Sequence, residues 1–151
     1  MSKAHLKIIN VRNRLDYDLK NVSVKYAAGN KIQAQGGLAT EYWFDWKTVN
    51  IHTEENIKFT NLIAIGDVNS KSEKSANDLE CSTYYRGYWQ VYFTMNGVAY
   101  QLNKNNAQAN VWDVDDGGEL EITILKEGTD IRVDFKLASG NAYFYGEPII
   151  K

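Results

Sequence analysis

Residues 81–103, with the sequence CSTYYRGYWQVYFTMNGVAYQLN, carry the strongest local folding signal in the chain. Asn96 and Gly97 predict a two-residue hairpin turn of type I′, because both central positions of that turn need positive φ angles. The turn sets the register, so we expect Met95 to pair with Val98 and one face of the hairpin to be apolar. The predicted apolar face comprises Trp89, Val91, Phe93, Met95, Val98, Tyr100 and Leu102. Such a ribbon must pack this face on a second layer.

The rest of the chain also predicts short strands between turns. Alternating or β-branched segments occur at 5–11, 19–26, 32–35, 49–52, 57–65, 111–114, 120–124, 131–137 and 142–145. No helical period extends over ten residues or more, and the chain contains one proline. For 151 residues, this pattern predicts a single domain, residues 1–151, folded as an antiparallel β-sandwich.

Polar and turn-forming residues predict the connections. Gly29 and Asn30 are expected to turn the chain, and residues 66–78 are expected to form a long polar loop. Residues 126–129 are expected to connect a hairpin.

Pairing Ile124 with Ile131 would give that second hairpin one wholly apolar face. The same register would place Glu121 opposite Asp134, and this like-charged pair counts against it.

Composition limits the classes of partner and compartment. The net charge is −2, which gives no reason to expect nucleic acid. The charge is uneven, because residues 1–30 hold six Lys or Arg against two Asp, and residues 111–130 hold seven Asp or Glu against one Lys. This asymmetry could steer a partner or could reflect solvated strand faces. The single cysteine, Cys81, and the lack of a secretory signal pattern favour the cytosol.

The sequence contains none of the short sequence motifs that identify common classes of enzyme. There is no nucleophile elbow, Walker loop, HExxH or paired CxxC, and the two histidines, His5 and His52, lie far apart in the sequence. Residues 113–119, DVDDGGE, superficially resemble a calcium loop, but they lack its twelve-residue spacing and fit an Asp-Gly turn better. We therefore expect no catalytic residue, metal or cofactor.

Two aromatic runs are the candidate binding feature. Tyr and Trp suit protein interfaces, lipid headgroup layers and aromatic cages for sugars or quaternary ammonium groups. Parity assigns Trp89 to the core, whereas at least one ring of the run at 42–46 should face outward. Arg86 adds a donor for a carboxylate or phosphate. The candidate binding residues are Tyr42, Trp43, Trp46, Tyr84, Tyr85, Arg86 and Tyr88.

Residues 6–31, LKIINVRNRLDYDLKNVSVKYAAGNK, together with the stretch 81–102, carry a family resemblance. The opening strand, Asn turn and Gly-Lys segment, and the later Cys, Gly and N-G hairpin, resemble those of aegerolysins. The whole chain is similar to the nematode PUD family, which is up-regulated when insulin-like signalling is reduced. The resemblance implies an antiparallel β-sandwich, assembly with a sister paralogue as a heterodimer, and no established biochemical activity.

Aegerolysins recognise sphingolipid-containing membranes, but no lipid motif of theirs maps onto residues of this chain. The sequence therefore leads us to expect a non-enzymatic cytosolic protein that pairs with a related paralogue or with itself. The alternative is a module that binds a lipid headgroup or a glycan through its exposed aromatic side chains.

Overall fold

The computed structural model describes residues 3–31, 61–104 and 107–149. Ten β-strands lie within these ranges. They are β1 (Lys3–Asn13), β2 (Leu19–Lys31), β3 (Asn61–Val68), β4 (Glu73–Ser82), β5 (Tyr85–Met95), β6 (Val98–Leu102), β7 (Ala107–Gln108), β8 (Glu119–Glu127), β9 (Asp130–Leu137) and β10 (Gly140–Pro148). The predicted strands 32–35 and 49–52, and the first part of 57–65, lie outside the described residues.

Hydrogen bonds connect the described strands into one sheet, in the order β3-β2-β5-β6-β10-β9-β8-β1-β4, with β7 beside β5. Neighbours are antiparallel except β1 and β8, which are parallel. The terminal strands of this order, β3 and β4, are joined directly by residues 69–72, so the sheet curves until its edges approach each other. The all-β prediction is confirmed. A division into two packed sheets is not confirmed, because one hydrogen-bonded sheet contains every described strand.

The curved sheet encloses one continuous hydrophobic core. Its largest fully buried side chains come from most of the long strands, and they include Trp89, Tyr26, Phe93, Phe135, Leu6, Ile9, Leu19, Leu102, Leu120, Ile122 and Ile124. Trp89 lies at the centre, with its ring centroid 4.8 Å from that of Tyr26 and 5.8 Å from that of Phe135. β5 therefore supplies the residue around which the two sides of the sheet pack.

The hairpin of β5 and β6 forms as the sequence predicts. Met95 pairs with Val98, and φ is 53° at Asn96 and 77° at Gly97, as a type I′ turn requires. Of the predicted apolar face, Val98 is exposed because it lies at the tip of the hairpin.

The ladder between β5 and β6 ends at the buried side chain of Gln90. Its Oε1 accepts the backbone N–H of Val91 at 2.9 Å and that of Leu102 at 2.7 Å. The amide thus takes the place of the next pair of main-chain bonds, and β6 separates from β5 at this point. β10 then pairs with β6 at Leu102, so Gln90 marks the place where the sheet branches.

Two predicted connections are strands. Residues 66–78 are not a long loop, because β4 begins at Glu73 and pairs with β1 along its whole length. An edge strand can carry polar side chains on both faces, and here only Leu79 and Cys81 are buried. The predicted turn at Gly29 and Asn30 is also wrong, since β2 continues to Lys31 beside β5.

The hairpin of β8 and β9 forms, but its predicted register is wrong by two residues. Ile124 pairs with Val133, so Glu121 lies opposite Lys136. The turn is the two-residue Gly128-Thr129, with φ of 63° at Gly128, which suits the first central position of a type II′ turn. The observed register avoids the like-charged pair that counted against the predicted one.

Replacing Gln90 should test the branch in the sheet. We expect Gln90→Met to lower the free energy of unfolding by about 1–3 kcal/mol, because two buried N–H groups lose their acceptor. Chemical denaturation monitored by tryptophan fluorescence measures the change.

The matched control is Gln101→Met on β6, a half-buried residue for which the described structure records no side-chain hydrogen bond. We expect that variant to stay within about 0.5 kcal/mol of the native protein. Equal losses in the two variants would contradict a special role for Gln90.

Candidate functional site

The exposed aromatic residues of β5 begin at a tight turn after β4. The Ser82 hydroxyl oxygen accepts the backbone N–H groups of Tyr84 at 3.1 Å and Tyr85 at 2.9 Å. The Ser82 N–H in turn donates to the hydroxyl of the buried Tyr26 at 2.9 Å. This chain of bonds anchors the turn to the core, so both tyrosines are held in place by structure beneath them.

The Tyr84 and Tyr85 side chains contact each other edge to face, with centroids 5.0 Å apart and ring planes at 80°. They remain 41% and 37% exposed, respectively. Arg86, the next residue, is half-buried. The sequence-predicted cluster is therefore a surface feature at these three positions.

Tyr88, also predicted as a binding residue, is buried beside Ala27 of β2 and Gln108 of β7, so its ring is not part of this exposed surface. The other three predicted residues, Tyr42, Trp43 and Trp46, lie outside the described residues.

Gly87 attaches a second segment, residues 109–118, to the start of β5. Ala109 N–H donates to the Gly87 carbonyl at 3.0 Å, and Gly87 N–H donates to Asn110 Oδ1 at 3.0 Å. Trp89 Nε1 also donates to the Ala109 carbonyl at 2.8 Å. A Cβ atom at Gly87 would lie 2.7 Å from that carbonyl oxygen, so only glycine permits this approach.

This second segment exposes two further apolar side chains. Trp112 is 42% exposed and Val114 is 66% exposed. Residues 111–114 were predicted to be a short strand, but Asp113–Asp115 forms a 3-10 helix. The segment of Trp112 and Val114 is bonded through Ala109 and Asn110 to Gly87, so it lies at the end of the sheet where β5 starts. We call Tyr84, Tyr85, Trp112 and Val114 the aromatic rim.

Carboxylates fix the acidic turn to neighbouring strands. The buried Asp115 accepts the backbone N–H of Ser139 at 2.9 Å, its hydroxyl at 2.6 Å, and the N–H of Trp112 at 2.8 Å. Asp116 accepts the N–H of His5 at 2.8 Å. These bonds explain why the acidic run is a turn. Among the described residues, no group of three His, Cys, Asp or Glu side chains could hold a metal ion.

The uneven charge in the sequence is partly cancelled in the fold. β1, from the basic segment, lies beside β8, from the acidic one. Arg12 Nη1 lies 3.0 Å from Glu121 Oε1. The strand arrangement therefore does not support the interpretation that a basic segment at 1–30 and an acidic segment at 111–130 steer a partner.

Cys81 lies in the core beneath the turn at Ser82. Burial, as the main cause, and the negative charges of Asp115 and Glu80 together raise its pKa from an ordinary value of 9.0 to about 12. Burial also raises the pKa of Tyr26, which is hydrogen-bonded to the Cys81 thiol. A thiol in this state is a packing group and a poor nucleophile.

A polar groove lies on the outer face of β8, β9 and β10, away from the predicted residues. Its volume is about 390 Å³, and Thr123, Arg132, Asp134, Lys136, Asn141 and Tyr143 contribute to its lining. Alternation along 120–124 and 131–137 predicted that Thr123, Arg132, Asp134 and Lys136 lie on the outer face of that hairpin. No sequence signal indicated that β10 would pair with β9 and add Asn141 and Tyr143.

Arg132 organises one wall of this groove. Its Nη1 donates to Glu127 Oε2 at 2.7 Å and its Nε donates to Asp134 Oδ1 at 2.6 Å. The guanidinium carbon lies 4.2 Å from the centre of the Tyr143 ring. Hydrogen bonding by Arg132, followed by that of Tyr145, lowers the pKa of Glu127, and the bond to Glu127 raises the pKa of Tyr145.

Comparison with known proteins gives no family assignment. No family model matches the chain, and no curated protein matches it. Within the described residues, no helix is long and apolar enough to cross a membrane.

The raised pKa values predict instability at alkaline pH. A group whose pKa is raised by folding contributes stability that is complete below its unfolded pKa and is lost as pH rises toward the folded value. The contribution of Cys81 to the free energy of unfolding should therefore fall as the pH rises from 9 to about 12. The limiting slope for one proton is about 1.4 kcal/mol per pH unit.

Denaturation curves between pH 8 and pH 10 should show the start of this loss. At higher pH, the ionisation of tyrosine, whose ordinary pKa is 10.0, would dominate the change in stability. Cys81→Ala should have a shallower slope whatever its absolute stability. Identical slopes in the two proteins would show that Cys81 is not responsible.

Proposed function

We propose that this chain is a non-catalytic cytosolic subunit that assembles with a related β-chain through the aromatic rim. The observation that carries the proposal is the pair of Tyr84 and Tyr85, whose rings are exposed although the backbone beneath them is fixed. The resemblance to the PUD family supports the choice of a related chain as the partner.

The chemistry of the rim suits protein association. Tyrosine and tryptophan are enriched at interface centres, because each buries a large apolar area and keeps a polar group for hydrogen bonding. Binding costs less when the contacting residues are already ordered. Ser82 orders the turn at Tyr84 and Tyr85, and Gly87 holds the segment that presents Trp112.

The state of Cys81 supports a non-catalytic role. It is the only cysteine in the chain, and its thiol is buried with a raised pKa. Nucleophilic catalysis by cysteine depends on an accessible thiolate, and this environment opposes its formation.

A lipid surface is the second candidate partner for the same rim. Trp112 and Val114 are exposed on the segment that is bonded to Gly87, and the two tyrosines and the half-buried Arg86 come directly before Gly87 in the chain. Tryptophan and tyrosine favour the headgroup layer of a bilayer, where an aromatic ring and a polar group are both accommodated. The resemblance to aegerolysins supports this second candidate.

The assembly proposal is tested by sedimentation velocity of the chain mixed with a related chain from the same organism. We expect a stable one-to-one complex. The double substitution Tyr84→Ser and Tyr85→Ser should weaken it at least about tenfold, because both rings are interface anchors.

Tyr17→Ser is the matched control, since Tyr17 is 50% exposed and lies outside the rim. It should leave the affinity unchanged. An unaltered complex in the double variant would contradict assembly through the rim.

Flotation with vesicles of phosphatidylcholine, sphingomyelin and cholesterol separates the two candidates. If the double variant loses vesicle binding but still forms the complex, the rim binds lipid, and the proposal of assembly through the rim fails.

A further inference from the structure

We infer that the groove on the outer face of β8, β9 and β10 is a carbohydrate-binding subsite centred on Tyr143. This site is separate from the aromatic rim and does not depend on assembly.

Strand register brings the groups of the subsite together. Thr123 pairs with Asp134, and Asp134 pairs with Tyr143, so these three residues form one row across the sheet. Lys136 and Asn141 pair in the adjacent row. Alternation places all five side chains on the same face. The groove's volume of about 390 Å³ falls within the range of small-ligand sites.

Tyr143 provides a fixed aromatic surface. The Arg132 guanidinium stacks on its ring at 4.2 Å, and Arg132 is itself held by Glu127 and Asp134. The Tyr145 ring contacts Tyr143 edge to face, at 6.0 Å and 85°. Tyr143 nevertheless remains 54% exposed. Its ring is thus ordered before a ligand arrives, which lowers the entropic cost of binding.

Several polar groups around this ring have no protein partner among the described residues. They are the Thr123 hydroxyl, the Asn141 amide, the Lys136 ammonium and the second carboxylate oxygen of Asp134. Together they present both donors and acceptors. A ligand with several neighbouring hydroxyl groups could satisfy them at once.

The charge of the lining selects among ligands. Arg132 and Lys136 balance Glu121 and Asp134, so the groove favours neither anions nor cations by net charge. A neutral ligand that has an apolar face and a border of hydroxyls fits this combination. A pyranose ring has both properties, since its axial C–H groups can pack on Tyr143 while its hydroxyls reach the polar groups.

Saturation-transfer NMR on the intact protein tests the subsite. The probes are the methyl pyranosides of galactose, glucose and mannose, together with N-acetylglucosamine, each at millimolar concentration. We expect at least one to bind, with transfer concentrated on the ring C–H protons of one face. The affinity should fall at least about tenfold in Tyr143→Ala.

Two variants distinguish stacking from a structural effect. Tyr143→Phe keeps the ring and should retain binding within about threefold, and Tyr17→Ala removes a similarly exposed ring elsewhere and should leave binding unchanged. Absence of binding by all four probes would overturn the inference. Binding that survives Tyr143→Ala in a folded protein would also overturn it.

Discussion

The structure depends on the position of β5, whose side chains connect the core, the branch of the sheet and the surface at one end. Trp89 packs between Tyr26 and Phe135 inside the sheet. Gln90, on the opposite face of the strand, replaces main-chain bonds and lets β6 separate. Gly87 allows the carbonyl of Ala109 to approach. These three residues lie within four positions, so one short segment of β5 contributes to the core, to the branch of the sheet and to the attachment of residues 109–118.

Local signals were sufficient to predict the centre of this arrangement. Asn96 and Gly97 specify a turn geometry that few other residue pairs tolerate, and that turn determines the pairing of Met95 with Val98. Alternation along β5 correctly assigned Trp89 to the core. These inferences succeeded because the turn and the strand period act over short distances in sequence, where no distant contact competes.

Errors arose where a distant partner determined the structure. β4 is a polar strand that is recognisable only from its pairing with β1, whose residues lie 61 to 79 positions earlier in the sequence. The register of β8 and β9 was assigned from apolar positions alone, although the expected contact of Glu121 with Asp134 was a valid warning. Tyr88 was predicted as a candidate binding residue of the aromatic run, yet it is buried beside β2 and β7. Trp112 was missed because residues 111–114 were predicted to be a strand, whereas Asp115 bonds the Trp112 N–H and the distant Ser139 at a 3-10 turn.

The two surfaces therefore differ in how they could be found. The rim at Tyr84 and Tyr85 was recognisable as an aromatic run, and the fold adds Trp112 to it. The groove at Tyr143 could be recognised only from the structure, in which β10 pairs with β9 and β9 pairs with β8. A surface that combines fixed aromatic rings with ordered polar groups is suited to recognition, and the rim carries the central claim of assembly.

Hydrogen exchange measured by mass spectrometry on the chain, alone and mixed with the related chain proposed as its partner, tests that claim most directly. We predict slower exchange on binding at residues 82–87 and 109–114, with little change on the outer face of β8, β9 and β10. Protection confined to β8, β9 and β10, with the rim unchanged, would contradict it.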